Sequence, residues 1–493
     1  MAHQANYMAI DLGAESGRAI LGEFDGERLG LVEVHRFLNT PVRLPDGLHW
    51  NVLRLLTEIK EGMGHAVHNQ GKQLASIGLD TWGVDFSLLD RNGALLSNPY
   101  HYRDNRTDGM LGAAFQRMPR EQIFELSGIQ FMPINTLYQL LSMVVSEAPE
   151  LDVAETFLTI PDLFNYWLTG EKVCEFSIAT TTQCYDPRRH TWSEPLLRAM
   201  GIPRHIFPQI VQPGTVVGPL LKIVAEETGA GSTPVIAPAC HDTGSAVAAI
   251  PAAGAKFAWI SSGTWSVMGT ESPEPIINPP SLKFNFTNEG GVNGTIRFCK
   301  NITGLWLVQE CRRTWAAQGQ EHSYAELTQM AAQAAPFVSL IDPDYLEFAK
   351  PGDMPSRIQT YCKRSGQPVP ESKAAIVRCM LESLALKYRL VLEHLENLVE
   401  DRLDPLHIVG GGTKNRLLNQ FTADATNRRV IAGPVEATAV GNILMQAIAL
   451  KHIHTLAEGR QIVAHSFDVE TFEPSNPTQW DEVYPRFVRL IQE

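Results

Sequence analysis

Residues 7–24 read Tyr-Met-Ala-Ile-Asp-Leu-Gly-Ala-Glu-Ser-Gly-Arg-Ala-Ile-Leu-Gly-Glu-Phe, the pattern of two strands joined by a turn of small residues. Tyr7–Asp11 is apolar, Leu12–Gly17 forms the turn, and Arg18–Phe24 alternates again. Asp25-Gly26 is a hairpin signal ahead of a third strand at Leu29–Phe37, so the chain opens as a β-meander and not as a βαβ unit. The same pattern returns later, as a strand at Ala255–Ser261, a turn at Ser262-Gly263-Thr264 and a strand at Trp265–Thr270.

Working outward, Thr57–Val67 has helical periodicity, and Ser76–Asp80 with Val84–Asp90 reads as a strand pair around Thr81-Trp82-Gly83. From about 110 to 230 the pattern is mostly helical, with helices predicted at Asn135–Val145 and at Pro161–Leu168, the latter stopped by Gly170. The last third carries a strand at Leu406–Val409, a loop at Gly410-Gly411-Gly412, a helix at Arg416–Thr426, a strand at Val430–Ala432 and an Ala-rich helix at Ala437–Leu450. Each half thus begins with a glycine-bearing hairpin and later adds a strand–loop–helix unit. Two similar halves facing each other would set their loops across one cleft able to take a nucleotide. The expected class is α/β in two domains, divided at 1–250 and 251–493.

Composition sets the outer limits. A chain of 493 residues exceeds what one core usually supports, and 44% hydrophobic with 19% charged residues is an ordinary globular balance. No window approaches the ~18 uncharged apolar residues of a membrane span. Met1–Asp11 lacks the cationic start of a secretory leader, so a cytoplasmic location is expected. The formal charge of −13, with no run of Lys and Arg, argues against a nucleic-acid partner. Seven scattered cysteines without a C-x-x-C pair suit a reducing compartment; Cys362 and Cys379 are the two that chain geometry could bring close.

Several constellations carry possible chemistry. In Asp11–Arg18, small residues let backbone N–H groups turn toward a phosphate, and Asp11 at a strand end is placed to hold Mg²⁺, through water; an ordinary hairpin turn is the competing reading. Ser262–Ser266 is a candidate second phosphate clamp. Asp242 stands between apolar Val235–Ala239 and helical Ala246–Ile250, as a base or simply as a helix cap. The loop Gly410–Asn415 lacks G-x-G-x-x-G spacing and offers instead a flat surface for an adenine. Asp85 and Asn301 are candidates to bind hydroxyls. There is no Walker A loop, no metal-chelating His pair and no G-x-S-x-G elbow.

DLGAESGR (11–18), DTWGVDF (80–86), YRDNRT (102–107), CHDTGSAV (240–247), SSGTWS (261–266), TNEGG (287–291), KNITGLWL (300–307) and HIVGGGTKN (407–415) occur in this order. Together they resemble the FGGY carbohydrate kinases over essentially the whole chain. The resemblance implies a pair of actin-like, ribonuclease-H-type domains with ATP and sugar in the cleft between them. It implies phosphorylation of a ketose, L-rhamnulose at C1, with ADP as co-product, by a monomer or homodimer. Matched position by position, Ala14, Glu15, Ser16, Gly17, Arg18, Thr264, Gln309 and Gly411 would contact ATP. Gly83, His241, Asp242, Thr243 and Asn301 would contact the sugar, with Asp242 as proton acceptor. Asp242 is taken to have an ordinary carboxyl pKa of ~3.9, hence to be a weak base. Other ketoses (L-fuculose, D-xylulose) and a non-catalytic nucleotide switch remain open as alternatives.

Overall fold

A computed structural model describes residues 4–252, 254 and 256–492. The chain forms two compact units. The first comprises residues 1–253, 271–298 and 437–467, and the second residues 254–270, 299–436 and 468–493.

The first unit is built on the opening meander. Strands β1 (Ala5–Leu12), β2 (Ser16–Phe24) and β3 (Leu29–Leu38) pair antiparallel. Helix α1 (Val52–Gly64) returns the chain to β4 (Ser76–Thr81), which joins β1 in parallel. After a largely helical stretch, β5 (Thr215–Pro219) and β6 (Pro234–Ala237) complete the order β5-β6-β4-β1-β2-β3, with β6 parallel to β4. The short helix α2 (Asp242–Ala248) follows directly. β1 is buried from Tyr7 onward because it is a central strand: Met8, Ile10 and Leu12 share a core with Val52, Leu55, Ile59 and Met63 of α1.

The second unit repeats the scheme. β7 (Ala258–Ser262) and β8 (Trp265–Ser272) form an antiparallel hairpin, and β9 (Ile296–Thr303) lies beside β8. Ala255, where the sequence pattern starts this strand, lies outside the described residues. After helix α3 (Trp306–Ala317), β10 (Leu406–Val409) pairs in parallel with β7. Helix α4 (Arg416–Thr426) leads to β11 (Val430–Ala432), parallel to β10. Helix α5 (Ala437–Ala449) belongs to the first unit, and β12 (Glu470–Phe472) closes the second sheet against β11.

One expected pairing is not made. Ser76–Thr81 and the strand after Trp82-Gly83 do not form a hairpin: Phe86–Leu89 pairs with Thr156–Thr159 in a separate two-stranded sheet. Asp85 forces the divergence. It is buried and its Oδ2 accepts from Trp50 Nε1 at 2.6 Å, Trp82 Nε1 at 2.9 Å and the Tyr102 amide at 3.2 Å, while Oδ1 accepts from Gln139 Nε2 at 2.9 Å. A carboxylate spent on four donors is structural, so Asp85 is not available for a sugar hydroxyl. Burial still pushes it up to about 6, against those hydrogen bonds.

Two further buried acids, Asp162 and Glu175, are each pushed up to about 7, chiefly by burial. In the folded chain Asp162 keeps a proton that the unfolded chain releases above about pH 4. The stability it contributes is therefore complete below the unfolded carboxyl range and is lost as pH rises toward 7. Asp162→Asn, which never ionises, is expected to gain at least ~1 kcal/mol on wild type between pH 5 and pH 8 in urea unfolding. A mutant-to-wild-type difference that stays constant over that range would show Asp162 to be ionised in the folded protein.

Candidate active site

β1, β4 and β6 run parallel, so their C-terminal ends reach one edge of the sheet, where open α/β sheets take ligands. The register sets Asp11 beside Asp80 and Leu12 beside Thr81. The Thr81 amide donates to the Cys240 carbonyl at 2.9 Å, and Thr81 bridges His241. Asp11 and Asp80 thereby stand at neighbouring strand ends, with Asp242 opening the helix that follows the third strand. Arg18, opposite Asp11 across the β1–β2 hairpin, meets Asp11 Oδ2 at 2.5 Å. Asp80 is wholly buried; its Oδ2 accepts from Asn442 Nδ2 of α5 at 2.6 Å, and its Oδ1 has no hydrogen-bond partner. Burial and the neighbouring Asp11 hold the Asp80 carboxyl well above the usual range, and Asp242 adds to the effect.

Asp242 is the first residue of α2 and does not cap it; His241 takes the cap position without a side-chain bond. Asp242 Oδ1 accepts from the Thr243 amide at 2.5 Å and from Thr243 Oγ1 at 3.1 Å, and about a third of the side chain, 32 %, stays open. Crowding by protein atoms raises its pKa, Asp11 raises it further, and His241 opposes. The ordinary carboxyl assumed from sequence is thus corrected: Asp242 is a stronger base than a solvated aspartate. The difference arises because its neighbours come from strands more than 150 residues away.

A buried network fixes the loop ahead of Asp242. Glu175 Oε2 accepts from the Cys240 amide at 3.0 Å and from Ser177 Oγ at 2.5 Å, and the His241 amide donates to Ser177 Oγ at 3.1 Å. Gly83 sits against the His241 ring: a Cβ there would lie 3.3 Å from Nε2 and 3.2 Å from Thr181 Oγ1. Gly83, His241, Asp242 and Thr243 therefore form one group in the first unit, next to the hairpin Asp11–Arg18. In that hairpin Gly13 donates to the Ser16 carbonyl at 3.0 Å, and Glu15 is exposed.

Asn301, Thr264, Gln309 and Gly411 all lie in the second unit. The Trp306 amide donates to the Thr264 carbonyl at 3.1 Å, which ties the hairpin tip to the start of α3, where Gln309 Oε1 is buried without a partner. The glycine loop packs on the same tip: Gly410 has φ of +86°, and a Cβ at Gly412 would lie 2.0 Å from Ser262 Oγ. Gly411 meets open space. Asn301 stands on β9 beside Lys300, which burial pushes down to about 8 against the pull of Asp344. Nothing local in the sequence marks Lys300, because its carboxylate neighbours enter from a separate loop.

Hard oxygen donors, one of them orphaned in the protein, fit a small divalent ion at Asp11 and Asp80. Away from the strand ends, one group among the described residues also brings possible metal ligands together: His35, Glu58 and Glu61. Glu58 there is already bonded by Arg54 at 3.1 Å and His35 at 2.7 Å, which makes the group an ion-pair cluster.

Residues 6–249 match the model of the FGGY family of carbohydrate kinases, N-terminal domain, and residues 258–450 that of the C-terminal domain. The chain is 45% identical to a rhamnulokinase of Bacteroides thetaiotaomicron, over 99% of both chains. It is 41% identical to one of Oceanobacillus iheyensis, over 94% of this chain and 97% of the other. Among solved structures, a ligand-bound xylulose kinase from Lactobacillus acidophilus superposes with a TM-score of 0.80 at 17% identity, covering 99% and 98% of the two chains. Plasmodium falciparum glycerol kinase with ADP superposes with a TM-score of 0.78 at 15% identity, covering 99% and 97%. These likenesses carry the fold: paired actin-like, ribonuclease-H-type domains, as the repeated strand order already indicates.

Helix α5 holds α2 at close range. A Cβ at Gly441 would stand 1.7 Å from the Ser245 carbonyl oxygen. Gly441→Ala is expected to push α2 away and lower stability by ~1–3 kcal/mol in urea unfolding, with loss of activity. A variant with wild-type stability and turnover would show that this contact does not set the position of Asp242.

Proposed function

The chain belongs to the FGGY family of carbohydrate kinases, and we propose that it phosphorylates L-rhamnulose at the C1 hydroxyl, converting ATP to ADP. The observation that carries the chemical part is Asp242, a partly open carboxylate of raised proton affinity beside His241, Thr243 and Gly83. The choice of sugar rests on relatives named rhamnulokinases that align along nearly the whole chain.

In this reading Asp242 accepts the proton of the C1 hydroxyl while the oxygen attacks the γ-phosphoryl group. Such transfer has a loose transition state, so the protein mainly positions the reactants and balances charge. The raised pKa of Asp242 narrows the gap to the alcohol and favours proton uptake as the P–O bond forms. His241, Thr243, Gly83 and Asn301 bind the sugar. Ala14, Glu15, Ser16, Gly17 and Arg18 bind ATP in the first unit; Thr264, Gln309 and Gly411 do so in the second. Glu15 serves through its amide, its side chain turned away from the phosphates. Asp11, through water, and Asp80 would hold Mg²⁺, which when bound neutralises phosphate charge. Residues 1–250 supply the base, the first phosphate turn and every sugar contact but Asn301, and 251–493 supply Asn301, the second phosphate turn and the adenine side.

The cytoplasm, where ATP is plentiful, is the proposed location. No described helix is long and apolar enough to cross a membrane, and none of the seven cysteines is in a disulfide.

Asp242→Asn is expected to lower kcat by at least ~100-fold while the protein remains folded; near wild-type turnover would remove Asp242 from its role. In an ADP-release assay, L-rhamnulose is expected to exceed L-fuculose, D-xylulose and glycerol in kcat/KM, with one ketose consumed per ATP. A tenfold preference for another acceptor would overturn the choice of sugar, and ATP turnover without consumption of any acceptor would overturn the kinase reading.

A further inference from the structure

Behind His241 lies a buried ion pair that the steps above do not use. Arg297, in the first-unit part of β9, is 0 % exposed. Its Nε donates to the Gly290 carbonyl at 2.8 Å, and one terminal nitrogen stands 3.0 Å from His241 Nδ1. Glu289 Oε2 lies 3.3 Å from that same nitrogen and 3.3 Å from His241 Nδ1. The strand carrying Glu289 is pinned in turn, its Gly290 amide donating to Thr180 Oγ1 at 2.7 Å.

A guanidinium has donors only. An Nδ1–H facing it across 3.0 Å would set two N–H groups against each other, so Nδ1 must present its lone pair. The other tautomer would donate from Nδ1 to Glu289 at the longer distance of 3.3 Å, while still pointing a proton at Arg297. Glu289 is needed instead to answer the charge of a wholly buried guanidinium. The proton of the neutral ring therefore sits on Nε2. That nitrogen is 3.5 Å from Asp242 Oδ1, on the side where Gly83 leaves room.

We propose that Arg297 is a positioning residue that locks His241 as the Nε2–H tautomer, so that the ring donates to an acceptor oxygen of the ketose next to the phosphorylated hydroxyl. In a 2-ketose that acceptor is the oxygen on C2. A locked donor also selects: an acceptor molecule without that oxygen would leave a buried N–H unpaired and bind at least ~10-fold more weakly. The inference rests on the sugar-kinase reading for the identity of the oxygen, but the tautomer is measurable without substrate.

The primary test is a long-range ¹H–¹⁵N spectrum of the ¹⁵N-histidine wild-type protein at neutral pH, with His241 assigned by its loss in His241→Gln. The expected pattern is a bare, pyridine-like Nδ1 and a protonated Nε2; a protonated Nδ1 overturns the proposal. In kinetics, Arg297→Met is expected to raise the sugar KM at least ~10-fold with ATP KM unchanged and kcat less affected. Arg297→Lys, which keeps a donor at Nδ1, should recover much of the loss. His241→Gln, whose amide nitrogen replaces Nε2–H, should bind sugar better than His241→Asn, and the reverse order would overturn the donor role. A wild-type protein that shows the Nε2–H spectrum but phosphorylates no ketose overturns the kinase reading, and the sugar contact with it. An Nδ1–H spectrum in an active enzyme overturns this proposal alone.

Discussion

Asp11 and Asp80 stand opposite each other in the β1–β4 register, and Asp242 follows where β6 hands over to α2. Parallel pairing of three strands obliges their ends to share one edge, and here each end carries an acid. The repulsion that results is only partly answered, by Arg18 on Asp11 and by Asn442 on Asp80. Burial first, and then what remains of that repulsion, raise the proton affinity of Asp80 and Asp242. The proposed general base and the proposed place for a hard cation both draw on that burial and charge.

The supports come from opposite sides of the sheet. From α5, Asn442 and Gln446 enter between β1 and β4. The Gln446 amide donates to Asn442 Oδ1 at 2.7 Å and to the Met8 carbonyl at 3.0 Å, and Ser76 Oγ donates to Gln446 Oε1 at 2.7 Å. Gly78 is glycine for this reason: a Cβ there would fall 2.3 Å from Asn442 Oδ1. From the other direction, Glu175 and Ser177 hold the backbone of Cys240 and His241. Arg297 and Glu289 hold the far side of the His241 ring. Most of these polar groups are buried with a partner, the condition under which a buried network rigidifies a site, while Arg297 Nη1 and Asp80 Oδ1 make no hydrogen bond within the protein.

The second unit uses the same strand order without the acids. Its hairpin tip offers Thr264 and the backbone around Ser262 and Gly263, and the glycine loop after β10 packs on that tip through Gly412. Repetition of one supersecondary scheme thus gives two different surfaces, one lined with acids, the other small, polar and open at Gly411. This division of labour matches what phosphoryl transfer asks of a protein.

Local signals sufficed for much of this. The limits of Leu406–Val409, Arg416–Thr426 and Val430–Ala432 were readable because Pro405, Gly410, Asn415 and Asn427 punctuate them, and the opening meander because turn residues separate alternating runs. The ordered motifs pointed to the family and to Asp242. What stayed hidden depends on residues far apart in the chain. Phe86–Leu89 takes Thr156–Thr159 as its partner, Asp85 is consumed by Trp50 and Gln139, and Asp242 gains its basicity from burial near Asp11. Arg297 reaches His241 across 56 positions. Sequence periodicity and turn chemistry are short-range and so determine elements; proton affinity and tautomer are set by which charges fold to within a few ångströms, and only the tertiary structure decides that.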